Sequence, residues 1–443
     1  MKTSRAAFVQ LAAAMSAGIL TALLSTTSAF ANEAALQPGL TGDWNGERTN
    51  LTNEGLQFQA KGVFEGAYDP SGGGRDSAAG AGELDFVALA DLAKLIGDDG
   101  GSVEAKITKR FGANLVDVAG LDTLMQVQEI WGRGDIWRLT MLSFSQDIFD
   151  KKLNVEFGRL NAGADFDAFS CDFENLGFCG SVPGNIVGDY WYNSPVSQWG
   201  GRLKANVSDT VYLEAGAYQI NPDNLAHGFS FDFSDGKGAL IPFELGWKPK
   251  LLSGLPGEYK IGGWIATMRA PDVFNDVNRD LLQATGLLAR QDYGRSGFYL
   301  SLKQQVTGDA PPGEAPPGTN GKGLTLFANF TRSDTGTSTL DRQFAIGAVY
   351  KGAIPSRADD EIALAFGATH VNDRVARGEA LHDVAALPFE PVQHTEYVTE
   401  LDERAQVGKG AELTTNLQYI ADPGGAAAPN DIVVLGLKAA LTL

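Results

Sequence analysis

From Leu56 to the last residue the chain alternates apolar and polar side chains at period two, and it does so along its whole length rather than in one block. Leu56, Phe58, Ala60, Gly62 and Phe64 interleave with Gln57, Gln59, Lys61 and Glu65, and Val103, Ala105 and Ile107 interleave with Glu104, Lys106 and Thr108. The pattern returns at Val211, Leu213, Ala215 and Ala217 around Tyr212, Glu214 and Tyr218, and at Phe298, Leu300 and Leu302 around Ser301 and Lys303. Leu324, Leu326, Ala328 and Phe330 oppose Thr325, Asn329 and Thr331, and Leu413, Leu417 and Tyr419 oppose Glu412, Asn416 and Gln418. The last segment sets Val433, Leu435, Leu437, Ala439, Leu441 and Leu443 on one side. Successive side chains of a strand point to opposite faces, so each segment reads as a strand with one apolar and one polar face.

Turn signals separate these segments, among them Asp69-Pro70-Ser71-Gly72-Gly73-Gly74, the Pro/Gly-rich stretch 308–322, and Asp422-Pro423-Gly424-Gly425. No helical period stands out except at 41–54, where Asp43 is placed to cap a short helix carrying Trp44, Arg48 and Leu51. No composition break divides the rest, and no repeat of fixed period is present.

The N-terminus has the layout of an export signal. Lys2 and Arg5 precede an apolar run from Ala6 to Leu24, a polar stretch follows, and Ala29-Phe30-Ala31 offers the small-x-small site of a signal peptidase. The expectation is a cleaved signal over 1–31, an N-terminal segment over 32–55 and one strand-built body over 56–443. No other stretch has the roughly 18 to 20 apolar residues of a spanning helix, which excludes a polytopic helical membrane protein. With 54 acidic against 35 basic residues, a net charge of −19, the chain repels a polyphosphate backbone, so nucleic acid is not an expected partner.

An exported, alternating chain of this kind fits either soluble β-sandwiches or a transmembrane antiparallel β-barrel. The barrel is favoured because the polar faces carry Gln, Lys, Glu and Asn, which suit a watery interior, and because the chain ends within a strand. Sixteen strands at about 26 residues per strand and connection match the length.

Four stretches resemble the OprB-type carbohydrate-selective porins of bacterial outer membranes. They are Leu40-Thr41-Gly42-Asp43-Trp44-Asn45-Gly46-Glu47-Arg48; Phe149-Asp150-Lys151-Lys152-Leu153 with Phe157-Gly158-Arg159-Leu160-Asn161 and Asp165-Phe166; Cys171 through Cys179; and Leu417-Gln418-Tyr419-Ile420 with Pro423-Gly424-Gly425 and Val434-Leu435-Gly436-Leu437. The resemblance implies an all-β transmembrane barrel of 16 strands that passes sugars by diffusion. It also implies a short helical segment near the periplasmic mouth and a constriction lined by charged residues, arginine among them. The usual terminal aromatic residue is here Leu443, a departure in the signal read by the barrel-assembly machinery. Outer-membrane lipid and permeating sugars are the other expected partners; the number of subunits is left open.

Sugar passage needs hydroxyl partners rather than chemistry, best supplied by charged and amide groups. Arg48, Arg159, Asp165 and Asp167 are the constriction candidates. Arg159 shares the parity of Val155 and Phe157, which read as lipid-facing, so it reaches the lumen only if the strand ends or bulges at Gly158. Lys61, Glu65, Glu104, Lys106, Glu214, Lys303, Glu412 and Gln418 point inward by alternation, most of them as wall electrostatics. The tryptophans read mainly as an interfacial girdle, with Tyr190-Trp191-Tyr192 as candidates for stacking on sugar. Export permits a bridge between Cys171 and Cys179 that would stiffen a loop. The four histidines show no ligand spacing, no nucleophile elbow or phosphate loop is present, and Arg133-Gly134-Asp135 is a chance triplet. No cofactor, metal or catalytic constellation is expected. The rival readings are a porin of the same shape for organic acids or general small solutes, and a soluble exported carbohydrate-binding β-protein.

Overall fold

Period two is realised as strands throughout. The computed structural model describes residues 39–72, 77–311, 320–383, 391–427 and 430–443; the export signal expected at 1–31 lies outside them. The strands are β1 (Leu56–Ser71), β2 (Ser77–Asp91), β3 (Gly101–Gly112), β4 (Trp137–Ile148), β5 (Leu153–Leu160), β6 (Gln198–Asn206), β7 (Val211–Ile220), β8 (Gly238–Trp247), β9 (Lys250–Leu251), β10 (Leu255–Asp276), β11 (Ala289–Gln305), β12 (Gly323–Ser333), β13 (Leu340–Lys351), β14 (Glu361–Val371), β15 (Thr395–Gly408), β16 (Ala411–Ala421) and β17 (Ile432–Thr442).

Every pairing between them is antiparallel, and each long strand bonds to its sequence neighbour. The sheet closes where β1 pairs with β17 as well as with β2, from Lys61 opposite Thr442 to Tyr68 opposite Leu435. Only the two-residue β9 stands outside the round, as a hairpin arm on β10. The result is the expected 16-strand barrel, in which no long strand is left with an open edge.

The faces follow the alternation. Phe58, Phe64, Phe86, Phe157, Leu203, Phe243, Ile261, Leu326, Leu364 and Leu435 stand exposed on the outside, the arrangement a barrel presents to lipid. Glu65, Glu214, Ser301, Asn329, Asn416 and Gln418 are buried on the inside. Trp199 and Trp247 share the parity of the outward residues on their strands and Trp137 is exposed beyond the register shift of β4, whereas Trp191 and Trp264 are buried in the interior.

A short 3-10 turn (Trp44–Gly46) and a helix (Glu47–Glu54) precede β1. The helix starts from Gly46, and Asp43 caps it from outside, its Oδ1 accepting from Thr49 N at 2.9 Å and Thr49 Oγ1 at 2.8 Å. This segment holds the chain end: Leu40 N donates to Thr442 O at 2.8 Å, and the Arg48 guanidinium donates to Leu443 O at 3.0 Å while lying over Trp44. Several helices escaped the sequence reading, among them Leu92–Ile96, Leu115–Ala119 and Val182–Ile186, and at greater length Asp373–Asp383 in the β14–β15 connection, begun by Asn372 Oδ1 accepting from Arg374 N at 3.0 Å. Its run of mixed Arg, Glu, Ala and His shows no apolar period.

Candidate functional site

Two connections on the barrel end opposite Leu443 do not stay outside. Residues 113–136, between β3 and β4, and 161–197, between β5 and β6, turn into the interior and cross it together. Glu129 N donates to Glu174 O at 2.8 Å and Leu176 N donates to Gln126 O at 2.9 Å, so the two loops are bonded to each other. Cys171 and Cys179 form a disulfide within the second.

Buried loop backbone needs partners, and wall carboxylates provide them. Glu400 on β15 accepts from Glu174 N at 2.7 Å and Asn175 N at 3.1 Å. Glu396 accepts from Leu124 N at 2.7 Å and Gly424 N at 2.9 Å. Glu244 on β8 accepts from Asp167 N at 2.8 Å and from the hydroxyl of Tyr299 at 2.7 Å. Glu65 accepts from Ile130 N at 3.3 Å and pairs with Lys438 at 2.9 Å. Gln418 reaches both loops, accepting from Asn175 Nδ2 and donating to Val127 O, each at 2.9 Å.

Apolar contacts then fix the loops against particular parts of the wall. Leu115, Leu121, Val127, Phe173 and Phe178 of the loops join Phe327, Ala345, Val349, Ala363, Ala365, Val398, Ile420, Ile432 and Val434 of β12 to β17 in one cluster. Phe166, Ile186, Val187, Tyr190 and Trp191 join Tyr218, Leu240, Trp264 and Tyr299 of β7 to β11 in another. Among the described residues, β3, β4 and β6 give no member to any apolar cluster, and β5 gives only Leu160.

That remaining stretch of wall is charged and paired. Lys106 meets Asp85 at 2.8 Å, and Lys204 meets Glu214 at 3.1 Å. Arg202 bridges the wall to the inward loop, bonding Glu156 at 2.5 Å and Asp165 at 3.1 Å. Tyr218 donates to Asp165 at 2.7 Å. Burial raises the Asp165 carboxyl to about 6, with Arg202 opposing and Glu156 adding to the rise. Glu104 faces the same space, within electrostatic reach of Glu156, Lys106 and Asp165, and is half-buried. Farther round, Asp172 at the tip of the second loop pairs with Arg404 at 3.3 Å and approaches Lys303 at 4.0 Å. Against the cost of burial, Lys303 and Arg404 hold the Asp172 carboxyl below its ordinary range.

The residues singled out by sequence are therefore scattered. Asp165, Glu104, Lys106 and Glu214 come together on the charged wall. Asp167 holds the loop, its Oδ2 accepting from Val182 N at 3.3 Å. Arg159 is 2% exposed and donates to Ser197 O at 2.5 Å and Asn224 Oδ1 at 3.1 Å; Gly158 before it takes φ +143°. Arg159 lies near the end of β5, where the β7–β8 connection crosses to bond β4 through Gly228 O and Leu139 N at 2.8 Å. Arg48 sits with the terminal residue, and Lys61 on β1 is exposed near the same end. Glu412 is half-buried, within electrostatic reach of Arg404. Tyr190, Trp191 and Tyr192 are fully buried: Trp191 lies edge-on to Trp264, Tyr190 accepts from Trp264 Nε1 at 2.9 Å, and Tyr192 donates to Asn221 O at 3.0 Å. Their rings brace the loop and present no face to the lumen.

Glu156, Arg202, Lys204, Glu400 and Lys438 went unremarked in the sequence. The Arg202-Leu203-Lys204 alternation carries the signal for two of them; what the acids accept from depends on loops that sequence does not fold.

Comparison with known proteins follows from this geometry. A model of the family described as carbohydrate-selective porin, OprB family, matches residues 75–443. Porin B of Pseudomonas aeruginosa is 39% identical, over 96% of this chain and 97% of its own length. The putative porin QuiX of Acinetobacter baylyi is 34% identical, over 90% of this chain and 92% of its own. The high-pH structure of Pseudomonas putida OprB superposes with a TM-score of 0.86 at 38% identity, covering 92% of this chain and 99% of that one.

Proposed function

The chain belongs to the OprB family of carbohydrate-selective porins of bacterial outer membranes, and from that premise we propose that neutral, glucose-like sugars diffuse through it between the inward loops and the wall built by β3 to β6. Both family and fold are those of a channel rather than an enzyme. The observation that carries the proposal is the ion-paired wall: Lys106 with Asp85, Arg202 with Glu156 and Asp165, Lys204 with Glu214.

A sugar entering a narrow passage gives up part of its hydration shell and needs both donors and acceptors in return. Paired charges offer both at close spacing while their fields largely cancel beyond a few ångströms, so a neutral polyol is served without a strong pull on either sign of ion. Contacts spread along the wall keep each one weak enough for release, which a diffusion channel requires. In this reading Arg202 and Asp165 are the narrowest pair. Arg159 and Asp167 hold the seam and the loop, and Arg48 fixes the described part of the N-terminal segment, residues 39–55, at the periplasmic mouth. Residues 1–31 are an export signal removed on secretion, the assembly machinery inserts the barrel, and lipid covers its apolar exterior.

Single-channel recording of the purified protein in planar bilayers tests this. Glucose is expected to reduce the current in a saturable way, more effectively than gluconate at equal concentration. Conductance that glucose leaves unchanged would remove the sugar assignment.

A further inference from the structure

The inward loops meet the wall at a place where acids outnumber their partners. Glu174, in the second loop, is 0% exposed, and neither of its carboxylate oxygens has a hydrogen-bond partner. Its backbone is fixed on both sides, N–H to Glu400 and carbonyl to Glu129 N, so the side chain cannot turn to water while the loop stays docked. One oxygen lies so close to Gly436 that a Cβ built there would stand 2.5 Å from it.

The groups around it come from every neighbouring element: Glu65 on β1, Glu129 on the first loop, Glu400 and Asp402 on β15, Lys438 on β17, and the amides Asn416 and Gln418 on β16. Lys438 is the only cation in this set, and it is already shared between Glu65 at 2.9 Å and Glu129 at 2.8 Å. A buried carboxylate without a partner does not persist; it gains a cation or a proton. A divalent cation needs several oxygens converging on one point. Among the described residues, the one set of three or more acidic, thiol or imidazole ligands within 4.8 Å of one another is Glu129 with Cys171 and Cys179, whose sulfurs are bonded together. The proton remains.

We propose that Glu174 is a neutral carboxylic acid while the loops are docked, and that this proton latches the two loops to the wall. Burial, with Glu65 adding to it, pushes the Glu174 carboxyl well above its ordinary range, in accord with the geometry. The sign is fixed by linkage. The docked state prefers the protonated form, so docking is fully supported below the free-carboxyl value of about 4.3. It weakens as pH rises from there, by up to about tenfold per pH unit, until the docked acid itself ionises. Released loops would leave a wider lumen. The proposal stands whichever solute the channel passes.

The test is amide hydrogen exchange of the full-length protein in detergent, followed through residues 171–179 across pH and corrected for intrinsic exchange, in wild type and Glu174→Gln. Wild-type protection is expected to fall more steeply with pH than the variant's, by up to about tenfold more per pH unit, and single-channel conductance should rise with pH more in the wild type than in the variant. Equal pH dependence in both proteins would overturn the latch. If the variant does not fold, the infrared spectrum of the wild type decides. A carboxylic-acid carbonyl band that vanishes in step with loop protection supports the proton; a spectrum without it at neutral pH contradicts it.

Discussion

The two sides of the barrel obey one pleat and meet different surroundings. On β13 to β17 the inward apolar residues Ala345, Val349, Ala363, Ala365, Val398, Ile420 and Val434 pack against Phe173, Phe178 and Leu115 of the loops, and the inward Glu396, Glu400 and Gln418 between them bond the loop backbone. On β3 to β6 the inward positions are Glu104, Lys106, Ser143, Ser145, Asn154, Glu156, Arg202 and Lys204, and apolar loop residues do not cover them. Period two states which way a side chain points. Whether it meets a docked loop depends on the chemistry of the inward set: small apolar residues set beside loop-bonding carboxylates receive the loops, and the stretch without apolar partners is where we place the path.

The largest effect should come from loosening the packed side. Phe173→Ala removes a buried ring from the cluster that joins Phe178 and Phe327, at a cost of about 3 to 5 kcal/mol. The loops should lose exchange protection and the single-channel conductance should rise; unchanged conductance would mean that these loops do not narrow the lumen. Next is the loop's own staple. Replacing Cys171 and Cys179 by Ser opens a cross-link of sequence separation 8, worth roughly 2 to 3 kcal/mol in the chain-entropy model. Proteolysis of residues 161–197 should accelerate while the barrel itself stays resistant.

The charged side should respond in function more than in stability. Arg202→Lys keeps the charge but loses the fork that reaches Glu156 and Asp165 together. One charge-assisted hydrogen bond at about 1.5 kcal/mol raises the glucose concentration for half-block by about tenfold; an unaltered glucose titration would take Arg202 out of the path. Smallest is Glu403→Ala on the half-exposed pair with Arg357, where less than about 1 kcal/mol is expected and thermal unfolding should barely move. A large loss there would contradict the division between paired wall and solvated rim.

The same division explains how much the sequence disclosed. The barrel was legible because its outer positions, such as Phe58, Leu203 and Leu435, must be apolar and its inner ones must differ from them. The disulfide was legible from two cysteines and the expectation of export. The site was less so. Asp165 and Glu104, expected to line the lumen, lie near the charged wall, whereas Tyr190, Trp191 and Tyr192, read as offering their faces to sugar, are fully buried, the first two in a cluster with Trp264 and Tyr299. An aromatic triplet in a loop looks alike whether the loop folds inward onto a wall or stands in water. Glu400 and Glu396 escaped notice for a related reason: an inward glutamate carries no mark showing that its partner will be a loop amide rather than a solute. Arg159 shows the limit of parity itself. Near the end of β5 the β7–β8 connection reaches across to β4, and what surrounds the guanidinium is Ser197 and Asn224.

The central claim, that solute passes along β3 to β6 and not along β13 to β17, is tested most directly by thiol accessibility in single channels. Glu104→Cys and Ala365→Cys place one free thiol on each side, and the native cysteines are already bonded to each other. A charged methanethiosulfonate reagent added to the open channel should cut the current of the Glu104→Cys protein in one step and leave the Ala365→Cys protein unchanged. Block at Ala365→Cys with none at Glu104→Cys would place the path behind the loops and contradict the account.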